Sequence, residues 1–246
     1  YVFIEGGDVI NRMQALKAGE TLTIGELGLG TALTLALILQ AWSEHGSAGA
    51  RCHVITIEKH PLSRSQLREA SARWTSLSQE FEIILQRWPS PIPGCHRRSG
   101  LIDGLTVDFW WEDVLDALGD LESYGNRWVD LWFLDGFTPS RNKAMWTAEV
   151  LRGVANLSRD AAHVATFTAS GDVRRSLERV GFRVSKRPGF GRKRECLQGV
   201  LDLSLTSTDQ HSTPARPTAW DHPRHGHEPQ SCLVLGAGLA GRHIAR

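Results

Sequence analysis

An apolar strand that turns through glycines into an apolar helix sets the strongest limit on what this chain can fold into. Residues Leu22 to Thr31 read Leu-Thr-Ile-Gly-Glu-Leu-Gly-Leu-Gly-Thr, with glycines at Gly25, Gly28 and Gly30, and a largely apolar stretch from Ala32 to Trp42 follows. A strand that turns sharply onto a helix N-terminus leaves bare backbone N–H groups and the positive end of the helix dipole facing outward, an arrangement suited to nucleotides. A second turn of this kind runs from Cys232 to Gly241, with Gly236, Gly238 and Gly241. Two such openings predict two nucleotide-binding domains, one nearly whole and one cut short. The sequence begins at Tyr1 inside what reads as a strand (Tyr1–Glu5), so both ends are read as truncated.

Between the two turns, apolar strands alternate with helical stretches, which predicts a mostly parallel sheet with helices on both faces. Strands are expected at Thr21–Glu26, Cys52–Glu58, Leu105–Trp111, Val129–Leu134 and His163–Thr168. Helices are expected at 31–44, 64–74, 114–121, 146–157 and 172–180, the last ending at Gly181. Phe182–Lys186 and Cys196–Leu203 then read as an antiparallel hairpin. Five α/β alternations closed by a hairpin resemble the layout of class I S-adenosylmethionine-dependent methyltransferases, a Rossmann-like α/β fold.

At 246 residues, with 41% hydrophobic and 22% charged residues, the chain has enough apolar side chain for one sizeable domain plus an extra piece. A formal net charge of +1 excludes a globally basic surface, so any contact with nucleic acid must come from a local patch. Cys52, Cys95, Cys196 and Cys232 lie far apart, which suits incidental thiols in a reducing cytosol. The apolar run at Ala32–Trp42 is too short for a bilayer and reads as a buried helix. From Ser204 to Gln230 the chain holds four of its ten prolines and four of its ten histidines and hardly any large apolar residue. That composition predicts a flexible linker between a first domain (residues 1–203) and the start of a second (231–246). His222, His225 and His227 within it are read as linker composition, and no metal site is expected.

The first turn has the spacing Glu26-x-Gly28-x-Gly30, which is not the dinucleotide fingerprint. In methyltransferases this order lets backbone pass close to the methionine part of the cofactor while the acidic residue helps to place its cationic end. A glycine turn on a purely structural strand would look the same. Glu58 ends the second strand, where a carboxylate can accept both ribose hydroxyls. Asp113 follows the third, where such folds hold the adenine amine. Each alone is also consistent with a solvated loop carboxylate. Together they favour a neutral or cationic adenosine ligand over a phosphate.

The fourth strand ends in Trp-Phe-Leu-Asp135-Gly-Phe-Thr-Pro139. A carboxylate there, backed by Phe137 and Pro139, resembles the acidic-aromatic-proline loop of N-methyltransferases. A primary amine is protonated at neutral pH and must lose a proton before it attacks a methyl group, and Asp135 is the candidate to orient it and take the proton. Capping of the next helix is the competing role. Six basic residues, Arg183, Lys186, Arg187, Arg192, Lys193 and Arg194, surround the hairpin turn with Phe190 between two glycines. Such a loop either binds phosphates and a base or is simply a solvated basic hairpin.

These stretches together resemble the bifunctional tRNA 5-methylaminomethyl-2-thiouridine biosynthesis family. Beyond the segments above, the resemblance rests on Glu58-Lys-His-Pro-Leu-Ser-Arg64, Pro93-Gly-Cys-His-Arg97, Met145-Trp-Thr147, Ala165-Thr-Phe-Thr168, Val173-Arg-Arg175 and Gly189-Phe-Gly-Arg-Lys-Arg-Glu195, in collinear order. It implies an N-terminal domain that uses S-adenosylmethionine to methylate an aminomethyl group on a tRNA wobble uridine in the cytoplasm. It also implies that Gly236, Gly238 and Gly241 open an FAD-dependent oxidase domain that first removes a carboxymethyl group. Under it, Asp135 is catalytic, Glu26, Gly28, Gly30, Glu58 and Asp113 hold the methyl donor, and Phe137, Lys186, Phe190, Arg192, Lys193 and Arg194 meet tRNA. The chain departs from the family at Ala32-Leu-Thr34, where Gly-Leu-Asn is usual. It departs again at Asp160-Ala-Ala-His163, where a Pro-Gly-Gly turn is usual, and at Asp172, where the family carries an aromatic residue.

Overall fold

Both faces of the central strands are apolar, as a parallel sheet covered on each side requires. In β1 (Thr21–Leu27) every residue after Thr21 is buried. The computed structural model describes residues 2–125, 127–136, 142–189, 191 and 194–205. The other elements are α1 (Val9–Ala15), α2 (Leu33–His45), β2 (Arg51–Ile57), α3 (Arg64–Ser71), α4 (Ser78–Arg87), β3 (Gly94–Ser99), β4 (Leu105–Trp111) and α5 (Val114–Ser123). After them come β5 (Val129–Leu134), α6 (Ala148–Leu157), β6 (Ser158–Thr166), α7 (Gly171–Arg179), β7 (Phe182–Pro188) and β8 (Glu195–Leu201).

These strands form one sheet in the order β3-β4-β2-β1-β5-β6-β8-β7. The stretch from β4 to β6 is parallel, while β3, β8 and β7 each run antiparallel to the neighbour they pair with. The expected α/β layout with a closing hairpin is thus the observed one. On one face, Met13, Leu35, Ile38, Leu67 and Phe81 from α1–α4 pack against Ile24, Val54 and Phe109. On the other, Leu118, Leu151 and Leu177 from α5–α7 pack against Leu27, Ile55 and Trp132. Strand order reverses between β1 and β5, and in open α/β sheets the crevice at such a switch point takes the ligand.

Two local interactions fix the sheet. Gly25 pairs with Trp132, and a Cβ at Gly25 would come within 2.4 Å of the indole ring. Gly25 therefore belongs to the strand rather than the turn. The indole Nε1 donates to Ser158 Oγ at 3.0 Å, which keeps this buried polar atom satisfied. Toward the other edge, Asp108 of β4 accepts two bonds from Arg97 of β3, at 2.7 and 2.6 Å, and lies 2.9 Å from His53 Nε2 of β2. Burial opposes ionisation of Asp108, but Arg97 and His53 hold its carboxyl down to about 2.

The expected strand at Tyr1–Glu5 is not formed over the described residues 2–8. Gly7 N donates to Phe3 O, Asp8 N to Glu5 O and Val9 N to Ile4 O, so the backbone satisfies itself in consecutive turns. Gly7 is pressed on Leu131, whose Cδ2 would lie 2.8 Å from an added Cβ, which leaves no room for a side chain. The helix expected to reach Trp74 stops at Ser71, and α1, α4 and the edge strand β3 are additions that the pattern of strands did not signal. β3 reads Gly-Cys-His-Arg-Arg-Ser with alternating half-buried and exposed positions, too polar to stand out as a strand.

Of the three alanines at the departures from the resembling family, Ala32 and Ala161 carry left-handed backbone. Ala32 has φ 57° and Ala161 has φ 58°. Ala161 lies where the register against β5 jumps from Val129↔Ser158 to Leu131↔His163, a bulge inside β6. A Cβ disfavours this conformation, and glycine does not. Because Ala161 is exposed, its methyl group has little packing to lose. An Ala161→Gly protein is therefore expected to gain about 1 kcal/mol and to melt roughly 2–4 °C higher in calorimetry. An unchanged or lower melting temperature would contradict the strain assigned to this bulge.

Candidate active site

At the carboxyl ends of β1, β2, β4 and β5 lies a cavity of about 730 Å³. Its floor is the glycine turn. Gly28 (φ 88°) and Gly30 (φ 53°) are both left-handed, and Gly28 is the tighter of the two. A Cβ at Gly28 would sit 3.1 Å from the carbonyl oxygen of Asp135, so bare backbone is needed for the β1 and β5 ends to meet. The helix that follows has Ala32 at its N-cap and no side-chain cap.

Most of the residues expected to hold the methyl donor converge on this cavity. Gly28, Gly30, Glu58, Asp113 and Asp135 all line it. Glu58 Oε2 accepts from Gly30 N at 3.1 Å and Oε1 from His60 N at 2.8 Å, so the carboxylate ties the first turn to the end of β2. Each oxygen keeps a lone pair for a ligand hydroxyl. Asp113 caps α5 by accepting from Leu115 N at 3.0 Å and pairs with Lys59 at 3.0 Å. Those two contacts lower its pKa, the backbone bond contributing most.

Glu26 sits differently. It is fully buried behind the turn and does not line the cavity. Thr56 Oγ1 donates to its Oε2 at 2.8 Å, while Oε1 has no hydrogen-bond partner among the described residues. Burial first, and then the Asp135 carboxylate, push its carboxyl up to about 8, against the opposing hydroxyls of Thr56 and Thr34. Asp135 itself faces Thr34, whose Oγ1 donates to Oδ2 at 3.4 Å.

The sequence reading missed several lining residues. Glu112, next to the expected Asp113, has a buried Oε2 with no partner among the described residues. Burial and the nearby Asp120 and Asp116 raise its pKa. Met145 and Phe167 form an apolar wall beside Asp135. Phe3 meets Phe167 edge-on at 6.5 Å and Phe133 at 5.1 Å, which supports that wall from behind. Only the position of Phe167 after β6, within Ala165-Thr-Phe-Thr168, could have signalled it. The cavity therefore has a carboxylate-rich end and an apolar end, and four carboxyl groups (Glu58, Glu112, Asp113, Asp135) face Lys59 as the one lysine or arginine among its described lining residues. That charge balance, with bare backbone at the turn, fits an adenosine ligand that carries a cation.

Of the expected tRNA-facing residues, Lys186 is in β7 and pairs with Glu195 at 2.7 Å. Arg187 is also in the strand, donating to the carbonyl of Glu5 at 3.1 Å, and Arg183 pairs with Asp202. The basic character there is thus partly neutralised and belongs to a strand as much as to a loop. Because β8 starts beside the carboxyl end of β6, Pro188 and Glu195 at the paired ends of β7 and β8 lie on the same edge of the sheet as the cavity. Phe137, Phe190, Arg192, Lys193, Gly236, Gly238, Gly241 and residues 206–230 of the expected 204–230 linker lie outside the described residues, while Ser204 and Leu205 form a 3-10 turn with Leu203. No helix among the described residues is long and apolar enough to cross a membrane, and no group of three His, Cys, Asp or Glu side chains there could hold a metal ion.

The buried position of Glu26 has a consequence for stability. Its folded pKa is raised above the unfolded value, so its favourable contribution is complete below about 4.5 and is lost as pH rises toward 8. Relative to Glu26→Gln, the parent should lose stability between those limits, on the order of 1.4 kcal/mol per pH unit, and show no further loss above them. Denaturant unfolding of both proteins at pH 5, 7 and 9 reads this directly. A difference between them that stays constant with pH would refute the assignment.

Comparison with known proteins shows the fold and the family of the chain. The crystal structure of MnmC2 from Aquifex aeolicus matches with a TM-score of 0.65 at 22% identity, covering 81% of this chain and 58% of that one, which shows a shared fold. Over 245 residues the chain is 37% identical to the tRNA 5-methylaminomethyl-2-thiouridine biosynthesis bifunctional protein MnmC of Chromohalobacter salexigens, and it spans 34% of that relative's length. The family pattern for S-adenosyl-L-methionine-dependent methyltransferases matches residues 75–202, just over half of the chain. The chain belongs to the S-adenosyl-L-methionine-dependent methyltransferase family.

Proposed function

We propose that this domain methylates the primary amine of 5-aminomethyl-2-thiouridine at the wobble position of tRNA. The observation that carries the reading is Asp135. It stands at the strand-order reversal, lines the cavity beside the apolar wall of Met145 and Phe167, and is held by Thr34. The similarity to the MnmC of Chromohalobacter salexigens supports the choice of a tRNA substrate. On this reading Glu58 receives the ribose hydroxyls, Glu112 and Asp113 lie toward the adenine, and Gly28 and Gly30 admit the methionine portion.

When bound, S-adenosylmethionine supplies a methyl group on a positively charged sulfur. Asp135 orients the substrate ammonium and accepts one of its protons, and the apolar wall favours the neutral amine. The freed nitrogen lone pair would form the new N–C bond as the C–S bond gives way, and the products would be a secondary ammonium and the neutral thioether, with the extra proton on nitrogen passing to solvent. Alignment within the cavity, rather than acid–base chemistry alone, provides much of the acceleration. The hairpin residues Lys186, Phe190, Arg192, Lys193 and Arg194 would hold the tRNA, and Phe137 would meet the base.

We further propose that residues 1–203 form the methyltransferase domain, that 204–230 link it onward, and that Gly236, Gly238 and Gly241 open the FAD-dependent domain of a longer bifunctional protein working in the cytosol. The ion pairs of Arg183 and Lys186 favour a second reading, in which the hairpin is merely solvated and the substrate is a small-molecule or protein amine.

Nucleoside mass spectrometry of tRNA bearing the aminomethyl group tests the first reading. The parent should yield the methylated nucleoside. Asp135→Asn should lower kcat by roughly 10²–10⁴-fold while binding S-adenosylhomocysteine within a few-fold of the parent. No product from the parent, or an undiminished rate in Asp135→Asn, would overturn it. Replacing Arg192, Lys193 and Arg194 with serine should raise KM for tRNA, and an unchanged KM would select the second reading.

A further inference from the structure

We infer that Glu26 stores a proton behind the glycine turn and releases it to solvent when the ammonium end of the methyl donor enters the cavity, so that cofactor binding is coupled to proton release. This rests on reading the cavity as the cofactor pocket and does not depend on which amine is methylated.

The surroundings of Glu26 carry the inference. The side chain has no exposure to solvent. From β2, Thr56 donates one hydrogen bond to Oε2, and Oε1 is left without a partner among the described residues. The charged groups that act on it are carboxylates, Asp135 from the end of β5 and Glu58 from the end of β2, and α2 contributes the uncharged hydroxyl of Thr34. A buried anion with only anions beside it is costly, and the group escapes the cost by taking up a proton.

A ligand cation reverses this balance. The α-amino group of the methyl donor carries a positive charge at neutral pH. Brought beside the glycine turn, it favours the charged form of the carboxyl behind it. The step balances as a neutral carboxylic acid behind the turn plus a bound ammonium in front of it giving a carboxylate, the same bound ammonium and one proton in solvent. Glu26 thus acts as a positioning residue: uncharged until a cation arrives, it then adds a carboxylate behind the glycine turn.

Calorimetric titration at pH 7 in two buffers of different ionisation enthalpy counts the protons. S-adenosylhomocysteine, which keeps the ammonium, should release between about 0.7 and 1 proton per molecule bound. 5′-Methylthioadenosine, which has the adenosine and thioether but no ammonium, should release almost none. The release with S-adenosylhomocysteine should fade as pH rises to 9, and Glu26→Gln should bind S-adenosylhomocysteine with no release at pH 7. Binding of S-adenosylhomocysteine by the parent without proton release overturns the inference, whether or not the variant folds. Equal release with both ligands, or release that survives Glu26→Gln, also overturns it. Because no tRNA is involved, proton release from a protein that fails to methylate tRNA would sink the substrate reading alone, and methylation without release would sink this inference alone.

Discussion

The indole of Trp132 lies across the bare backbone of Gly25, and the register of β1 against β5 follows from that contact. A one-residue slip in a parallel pair would turn every side chain to the opposite face. Here it would bring Asp135 out of line with the glycine turn. With the register held, Asp135 N donates to Leu27 O at 3.1 Å and Gly28 packs on the Asp135 carbonyl. This pairing sets the glycine turn against Asp135, and β2 and β4 then bring Glu58, Glu112 and Asp113 to the same cavity.

The parts of the fold legible in the sequence were those with a single physical cause. β2, β4 and β5 are dense apolar runs, and each ends close to a carboxylate that the structure places at the cavity. Elements with mixed causes were not legible. β3 is an edge strand whose alternating polarity reflects one solvated face, and α4 follows α3 after a short turn without a proline or glycine to separate them. The segment at residues 2–8 looked like a strand because Phe3 and Ile4 are apolar, yet their burial comes from packing beneath β5 in a chain of turns.

The same distinction holds within the site. Glu58 and Asp113 were legible because strand ends point into the crevice. Glu112, one residue earlier, carries the buried unpaired oxygen, and nothing in a two-residue acidic run says which of the pair will be capped. Glu26 was legible as an acidic residue of the turn but not as one sealed behind it, since its burial depends on Thr34, Thr56 and Asp135 from three other elements. The left-handed alanines at 32 and 161 explain in stereochemical terms why glycine is usual at these positions in the resembling family.

The bond from Arg187 to the carbonyl of Glu5 joins residues 182 positions apart. Phe3, on the same short segment, packs on Phe133 and Phe167, which are themselves made late. At typical ribosomal speeds of about 5–20 residues per second, that segment emerges roughly 10–40 seconds before its last partner. During translation Glu5 therefore waits for its bond to Arg187 until after both aromatic partners of Phe3 have been made. The last partner of the segment arrives with β7, so residues 2–8 settle fully only as the closing hairpin completes the sheet.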